Sequence, residues 1–144
     1  MLKKIMVAFA AVVLLSGCSC SKYRSDRTLT AELEKTAGSR VLFDLNSSNL
    51  TSETKATLAN QAKWFSERKT LKVVIEGHCD ERGTREYNMA LGERRANTVK
   101  QFLVKNGVSM DRIETVSYGK EKPEVMGNDQ ASYAKNRRAV TTIK

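Results

Sequence analysis

Histidine, proline and tryptophan each occur once in the 144 residues, and cysteine only three times. One histidine leaves no second imidazole for a His-rich metal site and little material for a His-paired nucleophile. A single proline and eight glycines exclude collagen-like and proline-rich chains. Three cysteines at irregular spacing do not make a disulfide scaffold. No apolar run reaches the ~20 residues that a membrane-spanning helix requires, and nothing recurs at a fixed period. Acidic residues are also scarce, with 16 Asp and Glu against 25 Lys and Arg, for a net charge of +9. What is present, 40% hydrophobic and 28% charged residues, is the composition of one globular domain that can bury a core without metals or cross-links.

The N-terminus reads as an address. Lys3 and Lys4 precede an uncharged apolar run from Ile5 to Leu15, which fits the central region of a secretory signal. Leu15-Ser16-Gly17-Cys18 follows. It resembles the bacterial lipobox, in which the cysteine thiol is diacylated and the chain is cut before it. The resemblance implies a signal peptide over residues 1–17, lipidation at Cys18 and, with Ser rather than Asp at position 19, export to the outer membrane. Each buried lipid methylene contributes ~0.8 kcal/mol, and two or more chains hold firmly. In an oxidising compartment Cys20 and Cys79 are open to pairing, which spacing does not decide. An exported chain does not meet nucleic acid, so its basic charge is read as attraction to anionic wall or lipid surfaces.

The polar stretch Ser19 to Thr28 predicts a flexible tether, followed by a short helix from Leu29 to Ala37 that Gly38 ends. Arg40 to Leu45 alternates as a strand. Thr51 or Ser52 caps a helix running to about Arg68, with Leu58, Ala62 and Phe65 on one face; Trp64 and Phe65 pack it on the sheet, or Trp64 faces outward to meet a partner. Leu71 to Glu76 is a β-branched strand and therefore central. A helix from Glu86 to Lys105 stops at Asn106-Gly107. Ile113 to Tyr118 is a third strand, Asp129 caps a short helix through Ala134, and Ala139 to Ile143 is the last strand. The fold class is α+β: a β-α-β-α-β-β sandwich with helices packed on one face of a mixed sheet. The chain divides into a signal peptide (1–17), a lipidated N-terminus with tether and short helix (18–38), and one domain (39–144).

One helix breaks its own pattern. Leu91, Val99 and Leu103 form an apolar stripe whose missing position is Arg95. An arginine keeps its charge, so on a buried face it requires an anion, or else its stem covers the stripe while its head reaches water. Asp80 and Glu81 lie in the loop after the central strand, where α/β sheets gather ligands, and Asp44 ends the first strand nearby. A guanidinium beside carboxylates suits a zwitterion, with the acid holding an ammonium and Arg95 holding a carboxylate. The alternative is that Asp80 forms a plain salt bridge to Arg95 or shapes a turn.

Five blocks carry a family resemblance: Gly77-His-Cys-Asp-Glu-Arg-Gly-Thr84, Tyr87-Asn88, Leu91-Gly-Glu-Arg-Arg-Ala-Asn97, Val116-Ser-Tyr-Gly-Lys-Glu-Lys-Pro123 and Lys135-Asn-Arg-Arg-Ala139. Together, from about Val41 to the C-terminus, they closely resemble the OmpA-like peptidoglycan-binding domain. The resemblance implies non-covalent binding of the diaminopimelate in peptidoglycan stem peptides, with no cofactor, metal or catalysis. Asp80 would take the ammonium and Arg95 the carboxylate. Asn88 would order the loop or touch the ligand, Phe43 and Asp44 would form the rim, Leu91 the floor, and Arg138, or alternatively Arg137, a further basic contact. His78 and Cys79, in the same loop, would be peptidoglycan-binding residues as well. Lipid-anchored members of the family also bind TolB and other Tol components, over a surface overlapping the peptidoglycan site. Cys79 stands where the family has Ala or Thr, and Arg85 replaces a common Pro.

Two other readings fail on geometry, and a third on what the resemblance implies. His78, Cys79 and Asp80 are adjacent in an extended segment, so their side chains alternate and cannot converge on one ion or act as a catalytic pair. Glu76 and Asp80 as a glycan-cleaving carboxylate pair would make the protein a hydrolase, which the family is not.

Overall fold

The structure, a computed structural model, describes residues 20–144; the signal segment, the lipobox and Cys18 lie outside the described residues. The chain runs α1 (Cys20–Thr36), β1 (Arg40–Leu42), α2 (Ser52–Ser66), β2 (Val73–His78), α3 (Arg85–Lys105), a 3-10 turn (Met110–Arg112), β3 (Ile113–Gly119), α4 (Gln130–Asn136) and β4 (Arg138–Ile143). The sheet order is β1-β4-β2-β3, with β2 and β3 parallel and the other pairs antiparallel. The expected mixed sheet carries α2 and α3 on one face.

The helices form where the sequence places their caps and stripes. Thr51 caps α2 by accepting the Thr54 N–H, and Thr84 caps α3 by accepting the Tyr87 N–H. Leu58, Ala62 and Phe65 of α2 are buried against Val41, Val73, Ile75, Val99 and Leu103. Each large apolar side chain so buried contributes about 1.5–3 kcal/mol. Trp64 is only 6% exposed and meets Phe65 edge-on at 5.2 Å, so it belongs to the core rather than to a partner surface. The α2 C-terminus is held by Arg112, whose Nε donates to Leu71 O at 2.8 Å and Nη2 to Arg68 O at 2.7 Å, satisfying carbonyls around that helix end.

Three elements differ from expectation. The tether is helical from residue 20: Leu33 is fully buried in the core with Leu29 packed beside it, and no Gly or Pro interrupts the turns before them, so α1 extends backwards from its docked half. β1 stops at Leu42 because the chain turns; Ser47 N–H donates to Asp44 O, and Asn46 adopts φ 52°. β2 sits two residues later than expected, since Leu71 O is taken by Arg112 while Cys79 N–H continues pairing with Gly119 O.

One close approach fixes the site. A Cβ on Gly77 would lie 1.8 Å from Gly92 O, so β2 and α3 touch backbone to backbone. This brings the first half of α3 down onto the C-terminal end of β2.

Candidate binding site

The loop after β2, the loop after β1, the first half of α3 and the residue before β4 meet at one end of the sheet. They enclose a notch lined by Asp80, Arg82, Arg95 and Arg137, with Leu91, Cys79 and Asn88 beneath and Leu45 and Asn46 at its rim. Its free volume is about 10 Å³, roughly room for one water.

Arg95 lies fully buried, as its place on the stripe demands, so it does not reach for water. It has no direct carboxylate partner either. Its Nε donates to Ser47 O (2.8 Å), Nη1 to His78 O (2.8 Å) and Nη2 to Asp44 O (3.0 Å). Three carbonyls, two from the loop after β1 and one from the last residue of β2, thus stand in place of the anion, and the guanidinium lies 5.2 Å from the Phe43 ring centre. Burial pulls its pKa down, yet an arginine stays protonated.

Asp80 is 5% exposed and pairs with Arg82 rather than Arg95. Its Oδ1 accepts from Arg82 N (3.1 Å) and Nε (3.2 Å), and Oδ2 accepts from Arg82 Nη2 at 2.7 Å. Arg137 Nη1 stands 3.5 Å from Oδ2, and its Nε donates to Phe43 O at 2.9 Å. Burial alone would push the Asp80 carboxyl up, but the Arg82 and Arg137 hydrogen bonds and the Arg82 charge outweigh it and hold the group below the usual carboxylate range.

Asn88 orders the loop, its Nδ2 donating to Arg82 O (2.8 Å) and Thr84 O (3.1 Å). Cys79 is a free, buried thiol whose Sγ donates to Asn88 O at 3.3 Å; burial pushes its pKa up. Phe43 and Asp44 enter through their carbonyls, while the Asp44 side chain is exposed along a neighbouring groove of about 490 Å³ that also borders Arg137. Glu81 turns away to accept the Tyr133 hydroxyl at 3.0 Å.

Two expected contacts lie elsewhere. In β2 the side chains alternate, and Gly77 faces α3, so His78 points to the opposite face of the sheet. Its Nε2 is 3.4 Å from Glu76 Oε2 and its ring 5.4 Å from that of Tyr118; only its carbonyl serves the notch. In β4, Ala139 and Ile143 are core residues, so Arg138 also points to the far face, where its Nε pairs with Glu124 Oε2 at 3.1 Å. The further basic residue of the notch is therefore Arg137. Alternation counted back from Ala139 was the signal that identifies it. Arg82 carried no such signal, because nothing in a loop sequence says which acid its side chain returns to.

The comparisons with known proteins agree with this architecture. The OmpA family profile matches residues 42–137. A peptidoglycan-associated lipoprotein of Mesorhizobium japonicum is 41% identical over 96% of this chain and 90% of its own length. That of Pasteurella multocida is 39% identical over 96% of both. The crystal structure of the peptidoglycan-associated lipoprotein from Burkholderia pseudomallei superposes with a TM-score of 0.73 at 41% identity, covering 75% of this chain and 92% of that one. The C-terminal domain of Helicobacter pylori MotB shares the fold at 20% identity and a TM-score of 0.68, over 73% of this chain and 83% of that one. With a profile match over most of its length and relatives aligned nearly end to end, the chain belongs to the OmpA family, among its peptidoglycan-associated lipoproteins.

Proposed function

We propose that the protein binds peptidoglycan non-covalently, its notch receiving the zwitterionic end of diaminopimelate in a stem peptide. The observation that carries this reading is the charge balance of the notch: one buried carboxylate, Asp80, among three guanidinium groups, Arg82, Arg95 and Arg137. An ammonium placed on Asp80 satisfies the acid, and the surplus positive charge calls for a carboxylate beside it. Arg95 retains two N–H groups beyond the three given to carbonyls, and Arg137 offers its terminal nitrogens. Recognition of this kind breaks no bond, and no catalytic residue is assigned.

The same reading makes the protein an outer-membrane lipoprotein facing the periplasm, anchored through Cys18 and tethering that membrane to the wall within the Tol–Pal system. TolB would then compete for the notch surface. The names of the relatives in Mesorhizobium and Pasteurella support the wall-binding part. Co-sedimentation with purified peptidoglycan tests it: Asp80→Ala and Arg137→Ala are expected to leave the protein in the supernatant while the parent pellets. Retention of both variants in the pellet would overturn the notch assignment. Absence of lipid label loss in Cys18→Ser would overturn the anchor.

A further inference from the structure

Resting on the zwitterion reading of the notch, we infer that Arg82 is a resident cation occupying the ammonium position of the free protein, and that its displacement makes the site selective for zwitterions over plain amines. The free volume of about 10 Å³ does not admit an amino-acid end, so a cation already bound must leave before one enters. Of the three guanidinium groups, only Arg82 is free to do so. Arg95 is fully buried and fixed by carbonyls of Asp44, Ser47 and His78. Arg137 has a side chain only 14% exposed and is pinned to Phe43 O. Arg82 has a side chain 34% exposed and, among the described residues, rests on Asp80 and on the face of Tyr133, 4.3 Å from the ring centre.

The consequence for selectivity follows from the exchange. A plain ammonium entering the notch replaces one cation on Asp80 with another and gains little. A zwitterion makes the same exchange and adds a carboxylate, which meets the unused N–H groups of Arg95 and Arg137 and the guanidinium just released. Arg82 thus acts as an internal competitor that a plain amine meets uncompensated. Replacing it with alanine removes the competitor but keeps its backbone bonds, from Arg82 N to Asp80 Oδ1 and from Asn88 Nδ2 to Arg82 O. The loop therefore retains its anchors.

The test uses the full chain and two synthetic stem tetrapeptides, one carrying meso-diaminopimelate at its third position and one carrying L-lysine there. Lysine presents the ammonium without the adjoining carboxylate. Titration calorimetry is expected to show that the parent favours the diaminopimelate peptide. Arg82→Ala is expected to bind the lysine peptide at least about threefold more tightly than the parent does, the scale of a released, partly exposed ion pair, so that the preference narrows. Arg82→Lys, which restores a cation without the fork, is expected to lie between the two. If Arg82→Ala leaves lysine-peptide affinity unchanged or lower while the parent still prefers diaminopimelate, Arg82 is not a competitor and the inference is overturned alone. If the parent binds neither peptide, the zwitterion reading falls and takes the inference with it.

Discussion

Replacing Arg95 with alanine is expected to cost the fold more than it costs the binding site. The substitution strands three carbonyl oxygens, of which His78 O lies in fully buried surroundings and those of Asp44 and Ser47 in partly buried ones. A lost hydrogen bond that leaves a buried polar group unpaired costs about 1–3 kcal/mol. Water reaching the two outer carbonyls relieves part of that, so the sum comes to roughly 3–5 kcal/mol, within the range reserved for broken buried networks. For a domain of this size that corresponds to a fall in melting temperature of very roughly 10–20 °C. Two of the carbonyls belong to the loop after β1 and the third to the last residue of β2, where the next loop begins, so both loops should loosen together. Urea unfolding monitored by circular dichroism measures the loss, and hydrogen exchange at residues 43–48 and 79–84 localises it. A variant that unfolds within about 1 kcal/mol of the parent would show that Arg95 bears no structural load, and the carbonyl accounting would be wrong.

Other substitutions test separate parts of the reasoning. Gly77→Ala places a methyl against Gly92 O and should abolish folding, seen as insoluble expression; a soluble variant with the parent's spectrum would refute the close approach. Because the folded Asp80 pKa is held below its unfolded value of ~3.9, its contribution to stability is full above that pH and is lost as pH falls through the folded value. The stability gap between the parent and Asp80→Asn should therefore close from pH 7 to pH 2.5 in urea titrations, and a constant gap would count against the pairing. Burial raises the Cys79 pKa, so native protein should resist iodoacetamide at this residue at pH 8 and react within minutes once unfolded; rapid native labelling on mapped peptides contradicts it.

Periodicity exposed those features that a repeating backbone imposes. The Leu58, Ala62 and Phe65 face of α2 stands where the residues put it, and of the two caps on offer, Thr51 and Ser52, the helix uses Thr51; the Thr84 cap of α3, two residues before the expected start at Glu86, is a finding of the structure. The break in the α3 stripe singles out Arg95 but leaves open whether it is buried with an anion or reaches water; it is buried, and its partners are backbone carbonyls, which have no letter in a sequence. The same limit hid the Asp80 partner: Arg82 lies two residues away, but only the folded loop turns its fork back. The choice between Arg137 and Arg138 lay within reach, since strand alternation from Ala139 decides it. The polar composition of residues 20–28 suggested a tether because that segment has no apolar face of its own; it is helical as a continuation of the turns that Leu29 and Leu33 dock.

The ends of the sheet have a mechanical meaning. Thr30 Oγ1 of α1 accepts from Ile143 N–H, at the end of β4 that pairs with Val73, whereas the notch lies beyond Gly77 and Ala139 at the other end. A pull applied through α1 passes down the covalent chain into β1, whose far end opens into the notch loop of Asp44 and Ser47, so the load runs lengthwise along the strands. The registered β1–β4 pairs are then strained in shear, all at once, instead of unzipping one by one. Strands loaded in this direction resist force better than strands that are peeled apart.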